Sequence, residues 1–232
     1  PQGLADWLDV RADGGGVRIL HAEGGVSADV DILISRERIP WSGHSGRFAV
    51  PEVYEAIRRA TMTLVFVNTR SQAELIFQEL WSVNEDGLPI ALHHGSLSRE
   101  QRTKVEAAMA AGKLKAVVCT STLDLGIDWG EVDLVIQMGA PKGAARLIQR
   151  IGRANHRMDE ASRAVLVPTN RFEVLECRAA EAAVEAGEIA GEGLRTGALD
   201  VLAQHILCRA CAGPMPRAKK APNWPPKPAR AC

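Results

Sequence analysis

Short apolar segments alternate with amphipathic segments through the middle of the chain. Runs rich in Val, Ile and Leu are typical of strands buried in a parallel sheet, whereas apolar residues spaced three and four apart indicate one face of a helix. The hydrophobic pattern predicts strands at 63–67, 89–92, 115–119, 133–138 and 163–167. Helices are predicted over 71–84, 143–151 and 199–211, and from near residues 51, 98 and 170.

Two of the predicted helices begin at recognisable capping residues. Ser98 and Gln101 have the spacing of a capping box, and Asn170 with Glu173 gives a second N-cap pattern before a long Ala/Glu-rich helix that ends at about residue 186. Strands and helices that alternate at this spacing predict right-handed βαβ units. The fold class is therefore predicted as α/β, with a parallel sheet covered by helices on both faces.

The chain is predicted to have four parts. Residues 1–50 form a segment with short strands, in which 17–21 and 30–34 are expected to pair, and residues 51–190 form the α/β domain. Residues 191–213 are interpreted as the start of a following helical or winged-helix domain. Residues 214–232 contain six of the twelve prolines and are predicted to be a disordered basic tail.

Composition narrows the class of protein. The 232 residues include 28 basic and 28 acidic side chains, with 46% hydrophobic residues, which excludes whole-chain disorder and a histone-like protein. The zero net charge is uneven, since 201–232 holds six basic residues and no acid. No apolar run is long enough to span a membrane, and five cysteines without an export signal are interpreted as reduced thiols. We therefore expect a cytoplasmic protein with no membrane partner.

Polar residues follow each of the central predicted strands. Ligands of an open parallel sheet bind at the carboxyl ends of its strands, so these residues are the candidates for chemistry. Hydroxyls, glycines and arginines predominate, which indicates a surface that contacts phosphates, and aromatic side chains for base stacking are few. The segments concerned are 68–70, 93–96, 120–128, 140–143 and 149–157.

Other interpretations of single residues are weaker. His93 and His94 lack further ligands at metal-site spacing, so a loop beside nucleic acid is favoured over a metal centre. Cys208 and Cys211 are interpreted as reduced thiols of a helix, because no second cysteine pair accompanies them. Trp41 is predicted to anchor the core.

The polar segments resemble the motifs of the second RecA-like lobe of a superfamily 2 helicase. VFVNTR at 65–70 resembles motif IV, HHGSLSREQR at 93–102 the H-G element that follows it, TSTLDLGID at 120–128 motif V, and QRIGRANHR at 149–157 motif VI. WSGH at 41–44 is similar to a segment of the large helicase-related (Lhr) family of DExH-box DNA helicases, and within it to the variant associated with a DNA ligase gene. The resemblance covers about residues 30–212, and it implies a RecA-like P-loop NTPase fold.

The resemblance also implies roles for residues in the nucleic-acid path. Five residues would contact the backbone of one strand: Arg70, Gly95, Thr120, Thr122 and Lys142.

A second set of residues would act at the nucleotide. Gly126 and Asp128 would lie on the ATP side of the cleft between lobes, and Gln149 and Arg153 of motif VI would reach ATP, with Arg153 as an arginine finger. Many relatives have a second arginine three residues later; this chain has His156 there and Arg157 next, so either of these could approach the phosphate. Arg150 could instead be a structural ion-pair partner.

The chain lacks half of an ATPase site. A G-x-x-x-x-G-K-[ST] loop is missing, and the letters DEAS at 159–162 follow motif VI without a preceding strand, so they are interpreted as a surface turn. Ligands for ATP and Mg²⁺ are therefore expected mainly from a first RecA-like lobe. That lobe and single-stranded DNA are the implied partners, with a DNA-repair ligase or nuclease as a further candidate.

Three functions are weighed on this basis. The favoured one is the C-terminal lobe of an ATP-dependent DNA helicase or translocase that acts in DNA repair and is not active alone; family membership implies 3′-to-5′ polarity. The alternative is a nucleic-acid-binding or adaptor module without catalysis. A dinucleotide-binding enzyme fits the sheet but not the motifs, because Asn68-Thr69-Arg70 stands where a glycine-rich turn would be required.

Overall fold

The computed structural model describes residues 28–124, 132–154, 162–187 and 199–211. These residues fall into two units, with 28–187 in the first and 199–211 in the second. The strands of the first unit are β1 (Asp29–Ile32), β2 (Thr63–Phe66), β3 (Ile90–His93), β4 (Ala116–Cys119), β5 (Leu134–Met138) and β6 (Arg163–Val167). Its helices are α1 (Val50–Arg59), α2 (Arg70–Ser82), α3 (Arg99–Ala110), α4 (Ala144–Ile151) and α5 (Arg171–Glu185), with 3₁₀ turns at Arg47–Ala49 and Ser121–Leu123.

The six strands form one parallel sheet in the order β1-β6-β5-β2-β4-β3. The chain runs outward from β2 to the edge strand β3, returns through β4, and then continues on the other side of β2 with β5 and β6. The register places Phe66 of β2 beside Cys119 of β4 and Gln137 of β5. The strand order therefore reverses at β2, and the loops after β2, β4 and β5 meet at one edge, where ligands of such sheets bind.

Helices cover both faces of the sheet, as predicted. On one face, α1 and α2 pack through residues such as Ile57 and Ile76 against the sheet. On the other, α3, α4 and α5 pack through Met109, Leu147 and Cys177. All residues of β2, β4 and β5 are buried, because helices exclude water from both sides. This burial explains why the central strands are continuously apolar rather than alternating.

The predicted helix starts are confirmed by their hydrogen bonds. The Ser98 hydroxyl accepts from the backbone N–H of Gln101, whose side chain accepts in return from the Ser98 N–H, which completes the capping box. The Asn170 side chain accepts from the N–H groups of Phe172 and Glu173 at the start of α5. Each cap satisfies donors that a helix leaves unpaired, so these starts are fixed locally.

The first described strand is placed differently from the sequence expectation. Strand β1 pairs in parallel with β6, with Asp29 beside Arg163, and contributes Val30 and Ile32 to the core against α5. The strand expected to pair with it, 17–21, lies outside the described residues. The sheet therefore includes a strand that precedes the predicted boundary at residue 51, and the four-part division stays a prediction.

The described part of the second unit is helix α6 (Leu199–Cys211). It has the bounds predicted from the sequence, and both of its cysteines are exposed free thiols. Within the described parts of the chain, no helix has the length and apolar character needed to cross a membrane.

The loop before α1 should be sensitive to the loss of Gly46. A Cβ at Gly46 (φ +65°) would lie 2.7 Å from the buried Met138 Cε, whereas a Cβ at Gly112 (φ +63°) meets no atom within 4 Å. Gly46→Ala should therefore destabilise the fold by about 1–3 kcal/mol more than the control Gly112→Ala, since only the first overpacks the core. Urea unfolding of both variants measures the difference; equal losses would show that backbone conformation alone sets the cost.

Candidate functional site at the carboxyl edge of the sheet

A buried ion pair lies at the centre of the carboxyl edge. Arg150 of α4 is 2% exposed, and its Nε donates to Oδ1 of Asp124 at 2.9 Å while Nη2 lies 3.4 Å from Oδ2. Its Nη1 donates to Oε1 of Gln137, and its guanidinium carbon lies 4.6 Å from the centre of the Phe66 ring. Arg150 therefore ties together β2, the loop after β4, β5 and α4, which confirms the interpretation of this residue as an ion-pair partner.

Arg153 is held by the same aspartate. Its Nη2 donates to the backbone oxygen of Asp124 at 2.8 Å, and among the described atoms its buried Nε has no hydrogen-bond partner. Arg146, one turn before Arg150, lies 3.8 Å from Oδ2 of Asp124 and is 44% exposed. Three arginines of one helical region thus converge on Asp124, and Gln149 between them faces solvent.

Three of the predicted nucleic-acid contacts lie side by side on the neighbouring loops. Arg70 is the first residue of α2, is exposed, and donates from Nη1 to the Ser96 hydroxyl at 3.1 Å. Gly95 adjoins Thr122, since a Cβ at that glycine would lie 3.7 Å from the threonine methyl. Arg70, Gly95 and Thr122 therefore belong to one continuous surface at the ends of β2, β3 and β4.

The other two predicted contacts are placed separately. Thr120 is half-buried, and its N–H donates to the backbone oxygen of His93 at 3.3 Å. Lys142 is exposed on the loop between β5 and α4, where it lines a cavity of about 550 Å³ with Asn68 and Thr69. Lys142 thus lies on the β5 side of β2, while Arg70, Gly95 and Thr122 lie on its β4 side.

The two adjacent histidines are buried in different surroundings. His93 Nδ1 lies 2.9 Å from the Thr122 Oγ1, and its Nε2 lies 3.1 Å from Oε1 of Glu106. Burial lowers the pKa of His93, and the Glu106 carboxylate opposes that shift. His94 Nε2 lies 3.5 Å from a carboxylate oxygen of Glu74. No cluster of three or more potential metal ligands forms among the residues that the structure describes.

The segment 41–44 is docked against the start of α5. His44 Nδ1 lies 3.1 Å from Oε1 of Glu173, whose other oxygen accepts from the hydroxyl and N–H of Thr169 at 2.7 and 2.8 Å. The Asn170 side chain donates to the backbone oxygen of Gly43 at 2.9 Å. Asn170 and Glu173 therefore cap α5 and fix the loop, a second role that their sequence spacing did not reveal.

The prediction that Trp41 anchors the core is wrong. Trp41 is 67% exposed, and the guanidinium of Arg171 lies 4.2 Å from the centre of its ring. The N–H of Arg171 also donates to the backbone oxygen of Pro40, which holds this part of the loop at the surface. A cation over the aromatic face stabilises the ring where it is, without burial.

Several site predictions fall outside the described residues, and some contributors were missed. Gly126, Asp128, His156 and Arg157 all lie in segments that the structure does not describe. Asp124 lies in the predicted segment 120–128 but was assigned no role of its own, and Phe66, Gln137 and Glu106 were not predicted as members of the site. One signal was available, since Gln137 is a polar residue inside an otherwise apolar strand and buried polar groups need partners.

Comparison with known proteins gives a consistent result. The family model for the helicase conserved C-terminal domain matches residues 49–158. The chain is 46% identical over 123 residues to the Lhr helicase/probable uracil glycosylase of Mycolicibacterium smegmatis, covering 53% of this chain and 8% of the relative. It is 38% identical over 165 residues to the ATP-dependent helicase Lhr-Core of Methanothermobacter thermautotrophicus, covering 70% of this chain and 19% of that protein. The chain thus spans less than a fifth of the length of these relatives, 8% and 19%.

Solved structures show the same similarity. The helicase Lhr of Mycobacterium smegmatis bound to ssDNA and AMP-PNP superposes with a TM-score of 0.68 at 36% identity, covering 80% of this chain and 25% of that chain. The C-terminal domain of the DEAD-box protein Dbp5 superposes with a TM-score of 0.54 at 20% identity, covering 70% of this chain and 87% of that domain. The second similarity is one of fold alone, and it matches the predicted RecA-like sheet.

Among the contacts of Asp124, its buried ion pair with Arg150 should contribute most to the free energy of unfolding. Arg150→Met leaves the Asp124 carboxylate buried without its main partner, so we expect a loss of about 3–5 kcal/mol in the free energy of unfolding. Arg146→Met removes a longer, half-exposed contact to the same carboxylate and should cost under about 1 kcal/mol.

Denaturant unfolding of these two variants and of Asp124→Asn is the measurement. The double variant Arg150→Met/Asp124→Asn should lose less than the sum of the single losses, because the second change removes the unpaired charge. Simple additivity would contradict a direct energetic link between the two side chains.

Proposed function

Because the chain carries the C-terminal lobe of an Lhr-type superfamily 2 helicase, we propose that it is the second motor lobe of an ATP-dependent DNA helicase or translocase. In this role it contributes motifs IV, V and VI and does not act alone. The single observation that carries the proposal is the convergence on Asp124. This residue binds Arg150 and Arg153 through its carboxylate and its backbone oxygen respectively.

Asp124 links two sets of residues. Thr122, on the surface with Arg70 and Gly95, lies two residues before it in the 3₁₀ turn Ser121–Leu123. Arg153, the candidate for nucleotide contact, donates a hydrogen bond to the backbone oxygen of Asp124. A displacement of this short turn by bound nucleic acid would therefore move the acceptor that orients Arg153. This is a physical route for coupling nucleic-acid binding to ATP hydrolysis, through one rigid element shared by both sets.

Arg153 has the chemistry of a phosphate ligand. Its guanidinium is half-buried, one edge is fixed by Asp124, and Nε is without a partner among the described atoms. An oriented guanidinium is suited to the charge that spreads over a transferring γ-phosphate. ATP would supply the phosphoryl group, with Gln149 on the exposed side of α4 as a second contact. Mg²⁺ ligands are expected mainly from the first lobe, because these 232 residues contain no G-x-x-x-x-G-K-[ST] loop.

The DNA-facing role rests on the rim of loops after β2, β3 and β4. Arg70, Gly95, Thr120, Thr122 and Lys142 are proposed to contact the backbone of a single strand. The similar M. smegmatis helicase was solved with ssDNA and AMP-PNP, which supports a nucleic acid and a nucleotide as ligands of this lobe type. The family resemblance supports finer proposals: a role in DNA repair, 3′-to-5′ polarity, membership of the ligase-associated variant, and a ligase or nuclease partner. The composition supports a further proposal, a cytoplasmic location.

An adaptor without catalysis is the second candidate, favoured by the missing Walker loop in these 232 residues. ATP turnover separates the two functions. We expect none from this chain alone, and DNA-stimulated turnover once it is joined to a first lobe. A coupled ATPase assay with and without single-stranded DNA is the measurement. Robust hydrolysis by the chain alone would refute the proposal, and no hydrolysis with the first lobe present would favour the adaptor.

The role of Arg153 can be tested in the two-lobed protein. Arg153→Ala should lower kcat by about 10³-fold or more, the effect typical of an arginine finger. Arg153→Lys should restore little of it, because an ammonium cannot both bind the Asp124 carbonyl and present a planar fork. Steady-state ATPase kinetics check the prediction, with Arg146→Ala, on the preceding helix α4, as the control. An unchanged kcat in Arg153→Ala would remove the residue from the nucleotide site.

A further inference from the structure

A chain of three side chains connects helix α3 to the rim. Glu106 of α3 lies 3.1 Å from Nε2 of His93, and the other ring nitrogen of His93 lies 2.9 Å from the Thr122 hydroxyl. His93 is 1% exposed, so both of its ring nitrogens depend on these two protein partners. Thr122 is half-buried and stands next to Gly95 on the surface proposed to contact DNA.

The donors and acceptors of this chain fix its hydrogen-bond direction. A carboxylate can only accept, so Nε2 of His93 carries the proton that is donated to Glu106. In a neutral imidazole the other nitrogen, Nδ1, then has no proton and must accept. Among the described residues, the donor beside it is the Thr122 hydroxyl, whose single proton is thereby directed into the fold. The backbone oxygen of His93, 3.4 Å from the same hydroxyl, is a second inward acceptor.

The consequence concerns phosphate recognition. Phosphate oxygens accept hydrogen bonds, so a threonine whose proton is directed inward offers them no donor. We propose that His93 is a positioning residue that holds the Thr122 proton inward, and that this proton becomes available to a nucleic-acid phosphate only when His93 is protonated on both ring nitrogens. In that state Nδ1–H donates to the Thr122 oxygen, and the hydroxyl proton is free to turn outward. The phosphate part of this inference rests on the proposed DNA-binding function.

The groups around His93 determine the pH at which its second ring nitrogen is protonated. Burial, Arg102 of α3 and the adjacent His94 lower the pKa of His93 from its ordinary value of 6.5, whereas Glu106 raises it. The net shift is downward, so His93 takes up its second proton at a lower pH than an ordinary histidine does. A bound phosphate adds negative charge nearby and favours the protonated form. Binding of a strand at Thr122 is therefore linked to the uptake of one proton.

The direction of the hydrogen bonds can be measured without DNA. Long-range ¹H–¹⁵N spectra of the full chain distinguish protonated from bare ring nitrogens, and the His93→Gln spectrum identifies the resonances of His93. We expect a protonated Nε2 and a bare Nδ1 at neutral pH. In Glu106→Gln the side-chain amide can either accept from Nε2–H or donate to a bare Nε2, so the tautomer with the proton on Nδ1 should gain population. A wild-type ring that carries its proton on Nδ1 would overturn the inference, and so would a Glu106→Gln ring in which the Nδ1–H population does not rise.

The effect on binding has a matched charge control. Glu106→Gln frees the Thr122 proton and removes one negative charge, whereas Glu100→Gln on the same helix removes a charge from an exposed pair with Lys104 and leaves His93 unchanged. We expect Glu106→Gln to bind a fluorescein-labelled oligothymidine strand about tenfold more tightly than Glu100→Gln at pH 7.5, the gain of one hydrogen bond to a charged acceptor. Fluorescence anisotropy measures both affinities.

Thr122→Val tests whether the gain passes through the hydroxyl. In the Thr122→Val background, Glu106→Gln and Glu100→Gln should bind the strand equally well. As a single substitution, Thr122→Val should remove the His93-dependent rise in affinity between pH 7.5 and 5.5. A gain that persists in the valine background, or equal affinities of Glu106→Gln and Glu100→Gln, would overturn the phosphate part. If no variant binds DNA, the proposed function fails together with that part, while the ring-nitrogen spectra still decide the role of His93.

Discussion

The buried pairing of Arg150 with Asp124 is the interaction on which the functional edge of this fold depends. A guanidinium that is 2% exposed is tolerated only where its hydrogen bonds are met, and here two carboxylate oxygens, Gln137 and the face of Phe66 surround it. Each of these groups comes from a different part of the chain. The pair therefore sets the relative position of the loop after β4 and helix α4, and with it the position of Arg153.

A second constraint acts on the same loop from the other side. Thr122 is fixed by His93, and His93 by Glu106, so the turn at Ser121–Leu123 is held between α3 and α4 through side-chain hydrogen bonds. The turn therefore lies between the surface proposed to contact a strand and the arginines of motif VI, and it is hydrogen-bonded to both.

For phosphate binding, the local arrangement of donor groups matters more than the net charge of the chain. The chain has no net charge, and acidic groups such as Glu74 and Glu173 lie close to the rim. The surface proposed to face phosphates nevertheless presents Arg70, Lys142 and exposed backbone at Gly95. Phosphate contacts require a few oriented donors rather than a large positive field. Local donor geometry is therefore the better guide to the proposed nucleic-acid partner.

The sequence by itself determined the order and type of the elements between residues 63 and 185 and the helix caps at Ser98 and Asn170. These follow from burial and from hydrogen bonds between residues a few positions apart. The order of the polar segments also placed the candidate site at the carboxyl edge. Only the tertiary structure decided that β1 joins β6, that Trp41 stays exposed and that Asp124 organises the site. It also decided that His93 lies between Glu106 and Thr122. Most of these features depend on partners that lie far apart in the sequence, such as Asp124 with Arg150, 26 residues apart, and Arg171 with Ile39, 132 residues apart. No local pattern encodes which distant groups will meet.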